Sequence, residues 1–186
     1  MRTLSFKNAG LLRAWLEENH ASSNGILLRV YKRNSGVASV TYAEALDEAL
    51  CFGWIDGLKL PCDAKSWIQK FTPRRPGSGW SKRNTEHARR LIDSGAMSPA
   101  GLAEVKAAQA DGRWQAAYDA FGSAAPPEDF IAELKRNRKA YAFFKTLNRT
   151  NLYSIVYRLQ TAKKAETREK RKQAIIDMLA RGEKFH

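Results

Sequence analysis

The residues best placed to do chemistry lie in Phe71-Thr-Pro-Arg-Arg-Pro-Gly-Ser-Gly-Trp-Ser-Lys-Arg-Asn84, where Arg74, Arg75, Lys82 and Arg83 fall within fourteen positions around Trp80. Proline and glycine make this stretch a loop. A tryptophan displayed among guanidinium and ammonium groups offers a ring face and positive charge to an anionic or planar ligand. Ser81 then starts a helix, whose free N–H groups favour an anion at the same place. Upstream, Trp54-Ile-Asp-Gly-Leu-Lys-Leu60 puts Trp54, Asp56, Leu58 and Leu60 on one face if the piece is extended. A carboxylate on an apolar face needs a partner, and Arg74 is the nearest in sequence. The simpler reading of Asp56 is a turn aspartate that accepts local N–H groups before Gly57. The candidate ligand site is therefore Trp54, Asp56, Arg74, Arg75, Trp80, Lys82 and Asn84.

Other chemistries have thinner support. Cys51 lies in the apolar run Ala-Leu-Cys-Phe and reads as a buried thiol; as a nucleophile it would need His20 or His87 from elsewhere in the fold. Two cysteines and three histidines, scattered along the chain, form no zinc pattern, and no metal or cofactor is expected. Asp47 and Glu48 are adjacent on a helix and diverge by about 100°, so they are no acid/base pair. No Walker loop, Gly-x-Gly-x-x-Gly, Gly-x-Ser-x-Gly or His-Glu-x-x-His is present, and Gly77-Ser-Gly79 lacks the strand-to-helix setting of a phosphate cradle.

The chain has 186 residues and a formal net charge of +13. Residues 1–125 hold 17 Lys+Arg against 12 Asp+Glu, and residues 126–186 hold 15 against 7, so the shorter C-terminal part carries the larger excess. Such a field suits polyanions: nucleic acid, an anionic membrane surface or a phosphorylated small molecule. Lys164, Arg168 and Arg171 share a helical face by their spacing and are the candidate nucleic-acid contacts. The competing reading is a solvated face, with Glu166 four residues before Lys170 as a helix-stabilising pair. No signal peptide and no apolar run of membrane-spanning length appear, so a cytoplasmic protein is expected.

The elements that must position these groups follow from caps and periodicity. Asn8 caps a helix to about His20, and Ile26–Lys32 reads as a largely buried strand. The capping box Thr41-x-x-Glu44 opens a helix over Tyr42–Phe52. Trp54–Leu60 and Ser66–Thr72 read as a hairpin. Helices are expected from Ser81 to Gly95, from Ser98-Pro99 to about Asp111, and over Trp114–Phe121. Gly122-Ser-Ala-Ala-Pro-Pro127 reads as a linker. Helices over Pro127–Arg136, Arg138–Leu147, Leu152–Thr161 and Ala165–Ala180 follow. The expected architecture is α+β, with a small antiparallel or mixed sheet and packed helices in a domain over 1–125, then a basic all-helical module over 126–186.

The strings Leu28-Arg-Val-Tyr-Lys32, Thr41-Tyr-Ala-Glu-Ala-Leu-Asp-Glu-Ala-Leu-Cys-Phe-Gly-Trp-Ile-Asp-Gly57, Phe71-Thr-Pro-Arg-Arg75 and Trp80-Ser-x-x-Asn84 resemble a bacterial family described as YdeI or OmpD-associated, or bacteriocin-protection. Pro127-x-Asp-Phe130 and Ala162-Lys-Lys-Ala-Glu-Thr-Arg168 extend the likeness over nearly the whole chain. Tyr157-Arg-Leu159 departs from the Trp-Ile pair expected before Ala-Lys. The resemblance implies a role in resistance to bacteriocins, cationic antimicrobial peptides or envelope stress, and its name implies association with a porin. It supplies no catalytic residues. The leading expectation is a protein that binds a small anionic ligand at the Arg74–Trp80 loop. The alternatives are a nucleic-acid-binding protein using the C-terminal helices, and an enzyme using Asp56 or Cys51.

Overall fold

The computed structural model describes residues 1–122 and 124–186. It is an α+β protein with four strands and eight helices among those residues. The chain divides into two compact units, one of residues 1–80 and 84–116, the other of residues 81–83 and 117–186. Ser123, within the expected linker 122–127, lies outside the described residues.

In the first unit the strands are β1 (Arg2–Leu4), β2 (Ile26–Tyr31), β3 (Trp54–Pro61) and β4 (Ser66–Pro73), and they form one mixed sheet in the order β1-β2-β4-β3. β1 runs parallel to β2, while β2–β4 and β3–β4 are antiparallel. The expected hairpin is therefore present, with a register shift between Asp56 and Lys59. β2 alternates buried and half-buried residues, so it covers a core on one face only, where the sequence suggested a largely buried strand. β1 goes beyond the strands the sequence predicts, since its three residues carry no readable period.

Helix α1 (Ala9–Asn19) is capped by the Asn8 side chain, and α2 (Tyr42–Cys51) by the full Thr41/Glu44 capping box. Leu12 and Leu16 of α1 and Ala45, Leu46, Ala49 and Leu50 of α2 are buried, as are Ile26, Leu28 and Val30 of β2. Gly53 ends α2 with φ +73, a conformation that suits glycine, and its carbonyl accepts from the Arg74 N–H at 3.0 Å. α3 spans Lys82–Asp93 and α4 Pro99–Ala110. α4 starts on the end of α2: the Ser98 hydroxyl donates to the Cys51 carbonyl at 2.5 Å. Residues 114–121 form turns and an isolated bridge rather than the expected short helix. Trp114 packs inward and Tyr118 pairs with Ser81, and neither follows a helical period.

The second unit is built on α5 (Glu128–Leu134), α6 (Arg138–Phe144), α7 (Arg149–Gln160) and α8 (Ala165–Ala180). Phe130, Leu134, Ala140, Ile155, Leu159, Ile175, Ile176 and Leu179 make one core. Asn137 and Asn148 cap α6 and α7. Lys172 is buried, but its ammonium meets Glu133 at 2.5 Å and Glu169 at 3.0 Å, which offsets the desolvation of its charge. Among the described residues no helix is long and apolar enough to cross a membrane.

Candidate functional site

Trp80 is 2 % exposed, which corrects the expectation of a displayed ring. The chain turns it inward because Arg74, itself 6 % exposed, stacks on it with the guanidinium carbon 3.5 Å from the ring centroid. Arg74 also donates to the Gly79 carbonyl at 3.1 Å, closing the loop on itself. Trp114 lies against the same ring, 5.0 Å between centroids, and Arg89 lies over Trp114. Arg113 donates to the Ser78 carbonyl at 2.7 Å while its Nε pairs with Asp111. The Trp80 indole N–H is buried and finds no acceptor among the described residues, at a cost of about 1–3 kcal/mol. These groups form a cation–aromatic cluster, with the two indoles tilted at 59° to each other, that fixes the loop from within.

Of the remaining expected site residues, Asp56 and Trp54 have partners of their own outside that cluster. Asp56 accepts from the Tyr42 hydroxyl at 2.8 Å, so tyrosine, not Arg74, satisfies this carboxylate. Trp54 is buried, donates its indole N–H to the His20 carbonyl at 3.2 Å and meets Trp15 edge-on. Asn84 is buried in α3. Arg75 is exposed, and its backbone N–H donates to the Ser78 hydroxyl. Lys82 pairs with Asp119 at 2.6 Å and, by hydrogen bonding to it, holds that carboxyl below the usual carboxylate range. Cys51 is 1 % exposed, and burial pushes its thiol up, with the Glu48 charge adding to the rise and Arg13 opposing it. A raised thiol pKa is the reverse of what nucleophilic cysteine chemistry needs at neutral pH.

The expected cationic stripe on α8 is also altered. Lys164 is the N-cap of α8, in extended conformation, so it is not on the helical face with the other two. Arg168 makes a two-pronged pair with Asp129, at 2.7 and 2.8 Å, which fixes its charge within the protein. Arg171 differs: its Nη1 donates to the backbone carbonyl of Arg158 at 2.8 Å, and no carboxylate pairs with it among the described residues.

Arg171 opens onto a groove the sequence did not reveal. Between α7, α8 and residues 181–185 lies a cavity of about 730 Å³, lined by Tyr157, Arg158, Thr161, Arg171, Ala174, Ile175, Met178, Arg181, Glu183 and Phe185. The Arg158 guanidinium lies over the Phe185 ring at 4.0 Å and, like Arg171, has no carboxylate partner among the described residues. Arg181 is paired with Glu183 at 2.9 Å. The groove thus joins an apolar wall of Ile175, Met178 and Phe185 to two uncompensated guanidinium groups. One signal was readable beforehand: Arg171, Ile175 and Met178 share a face of α8 by their i, i+4, i+7 spacing. The matching half comes from Tyr157, Arg158 and Phe185, whose approach no local pattern announces.

Two families match the chain. Residues 4–104 match one described as a domain of unknown function (DUF8412), and residues 123–182 match one described as bacteriocin-protection, YdeI or OmpD-associated. The second family was expected over nearly the whole chain, and its match covers the C-terminal stretch alone. No curated protein and no solved structure matches the chain.

Proposed function

The chain belongs to the family described as a domain of unknown function (DUF8412), and we propose that it is a binding protein whose C-terminal groove holds an amphipathic anion. The observation that carries this reading is the pair Arg158 and Arg171, both without carboxylate partners, at the edge of the apolar wall of Ile175, Met178 and Phe185. An acyl or other apolar body removes that wall from water, and a carboxylate or phosphate head takes charge-assisted hydrogen bonds from the guanidinium groups.

The match of residues 123–182 to a family named for bacteriocin protection gives the biological setting we infer: resistance to bacteriocins, cationic antimicrobial peptides or envelope stress. Charge constrains how such resistance would work. A chain of net charge +13 repels a cationic peptide and attracts the anionic amphiphiles on which such peptides act. The protein in this reading engages the anionic side of that encounter.

The test is a titration with decanoate, below its micelle concentration, followed in methyl NMR spectra. The Ile175 and Met178 methyl signals shift in a saturable way if the groove is the site. Signals that stay in place there, while decanoate binds elsewhere or not at all, remove the reading.

A further inference from the structure

We propose a second binding site, in the first unit, at the cavity between the end of β2, the start of β4 and the 32–41 loop; it takes a planar aromatic anion, represented by an aromatic carboxylate. The cavity has a volume of about 560 Å³, within the usual range for a small-molecule site. Three rings line it: Tyr31 at the end of β2, Trp67 near the start of β4 and Tyr42 in the first turn of α2. Val37, 46 % exposed, stands among the lining residues, with Lys32 and Arg33 beside it.

The charges around the cavity decide the sign of the ligand. Arg29 lies over the Tyr31 ring and Lys59 over the Trp67 ring, both at 4.8 Å. Lys32 donates to the Ala64 carbonyl, which leaves it two further N–H donors, and Arg33 is exposed with no carboxylate partner among the described residues. Among the described residues no carboxylate lines the cavity. The nearby acids are already engaged: Asp56 by the Tyr42 hydroxyl, Asp63 by Arg29, and Glu44 by the Thr41 cap. The Arg29 charge is matched by Asp63, but Lys32, Arg33 and Lys59 have no carboxylate partner among the described residues, so the charge beside the rings is positive and favours an anion over a cation. A flat anion satisfies both features, with its ring among the aromatic side chains and its charge beside Lys32 and Arg33.

The loop that closes the cavity is held in place before any ligand arrives. The Ser39 hydroxyl accepts from the Tyr31 N–H at 3.1 Å and donates to the Val40 carbonyl, and the Val40 N–H donates to the Phe6 carbonyl at 2.9 Å. The Ser35 N–H returns to the Lys32 carbonyl at 2.9 Å. A preformed site loses little conformational freedom on binding.

The experiment is an amide and indole NMR titration of the full chain with 2-naphthoate, beside its charge-reversed analogue 2-naphthylmethylammonium. The expected result is saturable movement of the Tyr31, Val37 and Ser39 amide signals and of the Trp67 indole signal with naphthoate, and none with the ammonium compound. Lys32→Glu/Arg33→Glu, at two exposed positions, weakens binding by about tenfold or more. Arg158→Glu/Arg171→Glu leaves it unchanged, which separates this site from the C-terminal groove. Equal binding of the ammonium compound, unchanged affinity in the Lys32/Arg33 variant, or shifts confined to other residues would overturn the proposal. Trp67→Leu gives a second check, since loss of its ring lowers affinity for naphthoate more than for cyclohexanecarboxylate.

Discussion

The guanidinium carbon of Arg74 sits 3.5 Å from the centroid of the Trp80 ring, and the indole lies on Trp114 with centroids 5.0 Å apart. This cluster turns a proline- and glycine-rich basic loop into a buried anchor. Trp80→Ala removes a large buried ring and leaves Arg74 without its platform. The expected loss is about 3–5 kcal/mol, read as a lower urea midpoint. Arg74→Lys keeps the charge but gives up the flat contact, at about 1–2 kcal/mol. A Trp80→Ala midpoint equal to that of the parent would show that the ring contributes nothing to the loop.

At Gly101, α4 lies against the end of α2 with no room for a side chain. A Cβ built there would run into the Cys51 carbonyl oxygen and lie 2.6 Å from that of Leu50, so backbone would have to move. Gly101→Ala is expected to destabilise the protein by at least about 1–3 kcal/mol, despite the better helix propensity of alanine. Gly10, in the first turn of α1, meets only the Asn8 side chain at 3.5 Å. Gly10→Ala is therefore tolerated or slightly stabilising. Thermal unfolding of the two variants side by side checks the contrast.

Acid should weaken the second unit in part through Asp129. The hydrogen bond from Arg168 holds this carboxyl below its ordinary value, so it binds its proton less readily folded than unfolded. A depressed folded value means the contribution is present above the unfolded pKa of about 3.9 and is lost as pH falls from there through the folded value. Both partners are partly exposed, so the effect is small, under about 1 kcal/mol. Asp129→Asn should narrow the difference in melting temperature between pH 7 and pH 3. An unchanged difference would show that Asp129 takes no part in the acid response. Lys172 has the opposite sign. Glu133 foremost, then Glu169, raise its pKa, so its contribution is present below the ordinary lysine value and fades only as pH climbs through the raised one.

Much of the fold was legible because local chemistry writes it plainly. Asn8, the Thr41/Glu44 box and Ser98-Pro99 each satisfy free N–H groups at a helix start, and the structure uses every one as a cap, whereas α7 begins at Arg149 behind an Asn148 cap and not at the expected Leu152. The β3–β4 hairpin likewise follows from two β-prone runs around a Pro-Cys-Asp turn. What was not legible depends on distant partners. Trp80 reads as exposed from its glycine, proline and basic neighbours, yet Trp114, far along the chain, helps bury it. The 114–121 stretch looks helical by composition, but Trp114 and Tyr118 are drawn to separate partners. Arg168 looks like a free cation until Asp129, on another helix, takes it. The groove was hidden for the same reason, since its halves come from α7, α8 and the segment after α8.

The most direct test of the central claim is calorimetric titration of decanoate into the parent protein and into Arg158→Glu/Arg171→Glu, with decanol and decyltrimethylammonium as head-group controls. Saturable decanoate binding by the parent, weakened about 10–100-fold in the double variant and absent for the cationic analogue, is the predicted result. Equal affinities for the two proteins, or equal binding of the cationic analogue, would contradict an anion site at Arg158 and Arg171.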